Sequence, residues 1–479
     1  MAYTEFYCDA ASGDNRNSGS TEGTYSFQDT GGDWDGSSIF TSNTSADLSG
    51  ISVGDWASVY VDGATTTARI ARITAVDNTA KTITLIIGTA QGAAGSAPAS
   101  QTGTCTIRVG GAWEGPGGGA SSDDHVPFRL GYLHRLTNAN NEPPCINLKN
   151  GTSYTPANTV SIGAGSNSFR VSGYTTTVRD GGEAVIDFGT SNTSTHFDMV
   201  NVNGGATFTD LHITADHSAV VSGNYTGFVA YYCNCRRVRV SGFYYLGVYA
   251  NHSTFEECEF YDSGKPSGNT GNLILTGSCT FRRCKFGETM GSTYCLVAGT
   301  SNYQHTFIDS IFYGDGTLVA AVYNSSTAMM RFENVDFYGF DNAIQNYNYS
   351  VYTLVNCNIV SCDYVLRQVG TNTQLTIIEL INCGFGGGAY ALTGTVNAIP
   401  SPNPTHYEEI DCKTYTTHPW VDPDTGDFRL SDEAAGPGQG RGEFLVTDPG
   451  NSYNLSTNEH IGSAVQAITA SGNIIIIED

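Results

Sequence analysis

The chain has 479 residues, 57 of them Gly and only 14% charged, with Ser, Thr, Asn and Tyr abundant, which excludes a collagen-like or disordered chain and fits a turn-rich β-protein. Its 22 Lys and Arg against 46 Asp and Glu give a net charge of −24, which argues against nucleic acid as a partner. No stretch approaches the roughly 18–20 apolar residues that span a bilayer, and the opening MAYTEFYCDA lacks the basic and apolar regions of a secretory signal.

Residues 1–50 are polar and turn-rich. Residues 51–110 change character: DWASVYVD, ARIARITAV, KTITLIIG and TCTIRVG predict four strands of a small antiparallel barrel or sandwich, with DNTA at 77–80 as a hairpin turn. Residues 1–111 therefore read as a β-rich N-terminal domain. The stretch GPGGGASS at 115–122 is a linker by composition. After it, Asp123 and Asp124 precede Phe128, Leu130, Leu133 and Leu136 at amphipathic spacing, so 112–140 predicts a linker and a short helix that caps the next domain.

From residue 141 to 433 short strands recur. TFEECEFYDS at 254–263 returns as TFRRCKFGET at 280–289, and the same frame runs through FTDLHI at 208, CRRVRV at 235, FIDSIF at 307, FENVDF at 332, LVNCNI at 354 and LINCGF at 380. The blocks are 20–27 residues apart, with apolar or small residues at the first, fourth and sixth places. Such a period in β-forming sequence, with no persistent helical spacing, predicts a parallel β-helix, each repeat one turn stacked about 4.8 Å on the next. In-register stacking sets Arg236, Arg237 and Arg239 beside Glu256, Glu257 and Glu259, and these beside Arg282, Arg283 and Lys285. The alternation of sign is a register-setting charge ladder, since opposite charges on neighbouring strands attract and like charges repel. Residues 434–479 read as a closing segment, with GNIIIIED a terminal strand that needs a partner.

The 13 Cys include no CxxC pair and no zinc-like His spacing, and read as reduced core residues of a chain folded in a reducing cytoplasm. Asp262, Asp315 and Asp341 follow successive blocks, and neighbouring turns would bring Asp315 and Asp341 near the separation a glycosidase pair needs, although Asp is also a favoured turn residue. Asp422, Asp424 and Asp427 in DPDTGDFRLSDE have a calcium-loop-like spacing without the full pattern, so a turn before the last strand explains them as well. The 27 Tyr suit structural ladders, a subunit interface or sugar stacking. No nucleophilic triad, cofactor motif or metal motif is legible.

The segments DNRNSG, VGGAWEGPGG at 109–118, SGYTTTVRDGGEAVIDFG at 172–189, the repeated blocks, DFRL at 427–430 and IGSAVQ at 461–466 resemble right-handed parallel β-helix proteins of the pectin-lyase-like superfamily, in particular the uncharacterised bacteriophage and environmental bacterial type. The resemblance covers most of the chain and implies an all-β, right-handed solenoid. It leaves activity open, because that fold hosts lyases, glycosidases, tailspikes and plain shafts. Pectate lyases of the superfamily hold calcium with clustered acids and use an Arg or Lys base, but the Arg-centred lyase signatures and the Asp pairs of polygalacturonases are missing here. The expectation is a non-enzymatic virion surface protein: a tailspike-like, fibre or capsid-decorating component without cofactor. It would be held by other virion proteins through its N-terminal region, would contact a cell-surface glycan, and by analogy with related spikes would be a homotrimer. A polysaccharide-degrading spike and a bacterial cell-surface adhesin are the alternatives.

Overall fold

The computed structural model describes residues 2–115 and 140–386, with short breaks, and the backbone of separate strands between 405 and 454. The described residues are all β and divide into two compact units, Met1–Arg239 and Val240–Asp479.

In the first unit, antiparallel strands run Trp56–Val61, Gln101–Gly110, Tyr25–Trp34, Ile39–Thr41, Thr82–Leu85 and Ala68–Asp77, and the last pairs again with the first. The result is a small closed barrel filled by Trp34, Phe40, Val59, Ile73, Ile83 and Ile107. The turn at 77–80 is in place, because the Asp77 carboxylate accepts the N–H groups of Thr79 and Ala80 at 2.8 Å. The barrel begins at Tyr25 and not at residue 51. YSFQDTGGDW lies within the stretch that reads as polar and turn-rich. Gly31, at φ 72°, marks a bulge in the strand, and a Cβ on Gly32 would lie 2.2 Å from the Phe40 ring.

The boundary at residue 111 also shifts, because the chain enters the solenoid before it makes the barrel. Thr4–Cys8 pairs in parallel with Pro144–Lys149, which pairs with Phe169–Tyr174, and that strand with Ala206–Thr214. Phe6, Ile146, Val171 and Phe208 form one fully buried row. The outer edge of Thr4–Cys8 would be an exposed template for pairing. It is closed by backbone: Trp113 N–H donates to Tyr7 O at 2.9 Å, Asp9 N–H to Trp113 O at 2.8 Å and Tyr7 N–H to Gly19 O at 2.7 Å. The Trp113 ring stacks on Phe6 at 5.3 Å and Trp56 of the barrel meets the same ring edge-on at 5.0 Å. The helix expected within 112–140 lies outside the described residues.

In the second unit the six-residue frame acquires a physical meaning. A straight strand would turn its first, third and fifth residues inward, whereas here the first, fourth and sixth are buried. The third residue is a left-handed corner: Glu257, Arg283, Asp309, Asn334 and Asn356 have φ between 49° and 56°, and in the first unit Asp210 and Arg237 have φ of 59° and 50°. Such a conformation costs a non-glycine residue about 1–2 kcal/mol. It is offset by a bond along the stack, since Glu257, Arg283, Asp309, Asn334 and Asn356 each donate their N–H at 2.9 Å to the next turn. The fourth residue is small and often a donor. Cys258, Cys284, Ser310, Cys357 and Cys383 each donate to the carbonyl two residues back, at 2.8–3.5 Å.

The first and sixth places build two aromatic columns. Phe255, Phe281, Phe307 and Phe332 stack at 4.9–5.0 Å, and Phe260, Phe286, Phe312 and Phe337 at 4.3–5.3 Å. Offset stacking of this kind adds about 0.5–1.5 kcal/mol per pair beyond burial. Another wall contributes Val248, Leu273, Leu296, Val322, Ile344 and Leu366 in register. Parallel pairing continues to Thr405–Ile410 and Lys413–Thr414. The expected extension to residue 433 is corrected: Trp420–Asp422, Asp427–Leu430 and Tyr453–Asn454 form an antiparallel sheet. Trp420–Asp422 and Asp427–Leu430 are only a few residues apart and pair in that sense because a parallel connection needs a dozen or more. The remainder of 434–479, GNIIIIED included, lies outside the described residues.

His305 belongs to the interior row Cys279, His305, Met330, Tyr352, Ile378 and is fully buried. Burial lowers its pKa from 6.5 to about 4. The unfolded chain therefore binds a proton at higher pH than the folded one. Protonation linkage takes no stability above pH 6.5, and stability is lost as pH falls from 6.5 towards 4, by roughly 3 kcal/mol in total. Urea midpoints at pH 7 and pH 4 should show this loss in the wild type, and a His305→Phe chain should lose less by that amount.

Candidate functional surface

The corner residues stack into a polar ladder. Asp210 receives Arg237 in two bonds of 2.5 and 3.0 Å, and Arg239 is paired with Glu183. In the second unit Glu256 faces Arg282 in register, Arg283 bonds both Glu256 and Glu257, the latter at 3.1 Å, and Lys285 meets Glu259 at 3.0 Å. The column continues without charge reversal: Asn334 donates to Asp309 at 2.9 Å and Asn356 to Asn334 at 3.1 Å. Asp210 and Glu183 were not singled out in the sequence. Asp210 was findable, because it holds the third place of FTDLHI, one block before Arg237.

The Asp candidates behave as turn residues. The Asp315 carboxylate accepts the hydroxyl of Thr317 at 2.6 Å and its N–H at 2.9 Å, and these two bonds hold its pKa below the usual range. Gly314 and Gly316 donate to Tyr338 and Gly339, whereas Asp341 donates its N–H to Leu318 at 3.1 Å. The backbone alignment thus offsets Asp315 from Asp341. Asp262 is a left-handed residue whose carboxyl is raised by burial. Asp422 and Asp427 are opposite each other on antiparallel strands, and Asp424 lies outside the described residues. Among the described residues no group of three or more His, Cys, Asp or Glu is arranged to hold a metal.

Two further rows emerge only from the register. One is Tyr249, Ile274, Val297, Tyr323, Gln345 and Arg367. Tyr294 stacks on Tyr323 at 4.4 Å and accepts from the Gln345 amide at 3.3 Å. The row passes from sheltered apolar side chains to an exposed guanidinium, with half-buried Tyr364 in register beyond Asn342. The other is Glu259, Lys285, Ile311, Asp336 and Asn358, in which the Asn358 amide donates to Asp336 at 2.9 Å. Steps of 22–26 residues connect the members of each row, so both rows follow the repeat period.

No family model matches the chain, and no curated protein does. Among solved structures it is similar to the pectate lyase Pel9A, at 13% identity and a TM-score of 0.36 over 66% of this chain and 84% of that one. It is similar also to the tailspike protein gp49 from Pseudomonas phage LKA1, at 9% identity and 0.30 over 83% and 62%. The Pseudomonas phage phi297 tailspike gp61 gives 12% identity and 0.23 over 87% and 67%. The parallel solenoid is established by the strand register of the chain itself.

The corner ladder predicts a charge-swap result. Arg283→Glu places three acids together on a half-buried corner and should cost about 2 kcal/mol in urea unfolding. Adding Glu257→Arg to that variant should recover most of the loss, and two independent, additive losses would show that the ladder does not set register.

Proposed function

We propose that the chain is a tailspike-like, non-enzymatic structural protein of a bacteriophage surface, with the barrel as its attachment module and the solenoid as its shaft. The observation that carries this reading is the manner in which the barrel is joined. Tyr25 and Gly110 are register partners, so residues 25–110 leave and re-enter the chain at one point, between the first solenoid strand and its edge partner Trp113. A compact module inserted in the chain beside the closed edge of the first solenoid strand suits an attachment role. The paired charges and turn-bound carboxylates suit a shaft more than a catalytic groove. Other virion proteins are then the partners of the barrel. A host-surface glycan would be met at the exposed end of the tyrosine row, near Arg367 and Tyr364, and a chain of net charge −24 favours a neutral glycan over an acidic one.

Joining residue 24 to residue 111 through a short Gly-Ser linker should leave a cooperatively folding solenoid while abolishing incorporation into particles, read by mass spectrometry of purified particles. Incorporation of the barrel-less chain, or detection of the protein on cells that carry no particle, would overturn the assignment. Arg367→Ala should weaken binding to host polysaccharide about tenfold, a loss of about 1.4 kcal/mol.

A second reading, a polysaccharide-cleaving enzyme, would rest on the register row of Glu259, Lys285 and Asp336, of which only Glu259 is partly exposed, Lys285 being 8% and Asp336 0% exposed. Release of oligosaccharide product by the wild type, abolished in Asp336→Asn or Lys285→Met and retained in Asp315→Asn or Asp341→Asn, would establish it.

A further inference from the structure

The interior row through His305 has a composition that packing alone does not require. Cys279, His305 and Met330 occupy consecutive turns at equivalent positions: Thr306 donates its N–H to Cys279 O at 3.0 Å, and His305 is the register partner of Met330. They are 2%, 0% and 2% exposed. Neither ring nitrogen of His305 has a hydrogen-bond partner among the described residues. A fully enclosed imidazole is normally bonded, because leaving its polar atoms unmet costs a full desolvation penalty. Here its neighbours along the stack are a thiol and a thioether, both poor hydrogen-bonding groups and both good soft-metal ligands.

We propose that Cys279, His305 and Met330 form a site for one monovalent soft cation, copper(I), inside the second unit. Charge selects the ion. Copper(I) displaces the proton of Cys279, which passes to solvent, and one thiolate with one monovalent cation leaves no net charge in an apolar interior. A divalent ion on the same ligands would leave a buried positive charge, and zinc would also lack a fourth ligand. The thiol now donates to Gly277 O at 3.2 Å and exchanges that bond for the metal. Cys279 and His305 supply a two-coordinate core across one turn. Met330 starts about 5 Å further along and reaches back with an unbranched side chain of three rotatable bonds. With all three residues enclosed, the ion enters as the chain folds. The site is independent of the barrel, of any glycan and of the reading given above.

The test is to refold the full chain under reductant with copper(I), challenge it with a copper(I)-specific chelator, and record stoichiometry by native mass spectrometry and the ligand shell by X-ray absorption. One retained copper per chain with a mixed nitrogen and sulfur shell is expected. His305→Phe and Cys279→Ser should lower retention about 100-fold, and Met330→Leu, which conserves volume, about tenfold. An all-sulfur shell would overturn the proposal, since Cys258 with Cys284 or Cys357 with Cys383 would then hold the ion. Retention unchanged in Met330→Leu and His305→Phe, or no retention by the wild type, would overturn it equally. Should His305→Phe fail to fold, the shell of the wild type and the shift in Met330→Leu decide the matter.

Discussion

Everything in the solenoid depends on one constraint, that like places on successive turns lie about 4.8 Å apart with their backbones bonded in parallel. That spacing suits stacked phenyl rings, lets one corner side chain bond the next, and leaves no freedom to slip a residue without turning the interior outward. The left-handed third residue is what makes the turn possible. In most proteins a charged residue there would be a local defect. Here its unfavourable conformation recurs at the same height on turn after turn, supported by the amide bond to the following turn and by the side chain above or below.

The alternation of Arg and Glu can be understood in those terms. Asn and Asp tolerate left-handed geometry with the least strain and fill the corner further along, at Asp309, Asn334 and Asn356. Arg237, Glu257 and Arg283 tolerate it less well, and each of them is held by an ion pair. Small donors at the fourth place complete the corner from inside, which accounts for Cys258, Cys284, Cys357 and Cys383.

The repeat, the parallel class of sheet and the aromatic columns were legible in the sequence, because the period is strong and Phe, Cys and Ile return at fixed places. The meaning of the first, fourth and sixth pattern was not, since a left-handed Glu257 or Arg283 leaves no mark on composition. The first strand was missed for a different reason. Thr4–Cys8 is five residues long and pairs with a partner beginning at Pro144, far beyond any window in which periodicity can be seen. The reversal after Trp420 was obscured by the similarity of DFRL to the strands before it. The row ending in Arg367 and the enclosed row through His305 mix residue types, and only the register collects them.

The insertion of the barrel has a consequence for how the chain acquires its structure. Later turns close loops of about 25 residues, a modest entropic cost, but the first pairing joins Thr4 to Pro144. A long loop of that kind is slow to close and raises the contact order of the whole domain. The barrel acts as a splint: once Tyr25 and Gly110 are joined, 84 intervening residues (26 to 109) no longer count as free chain. The barrel thereby lowers the entropic cost of closing the first solenoid pairing.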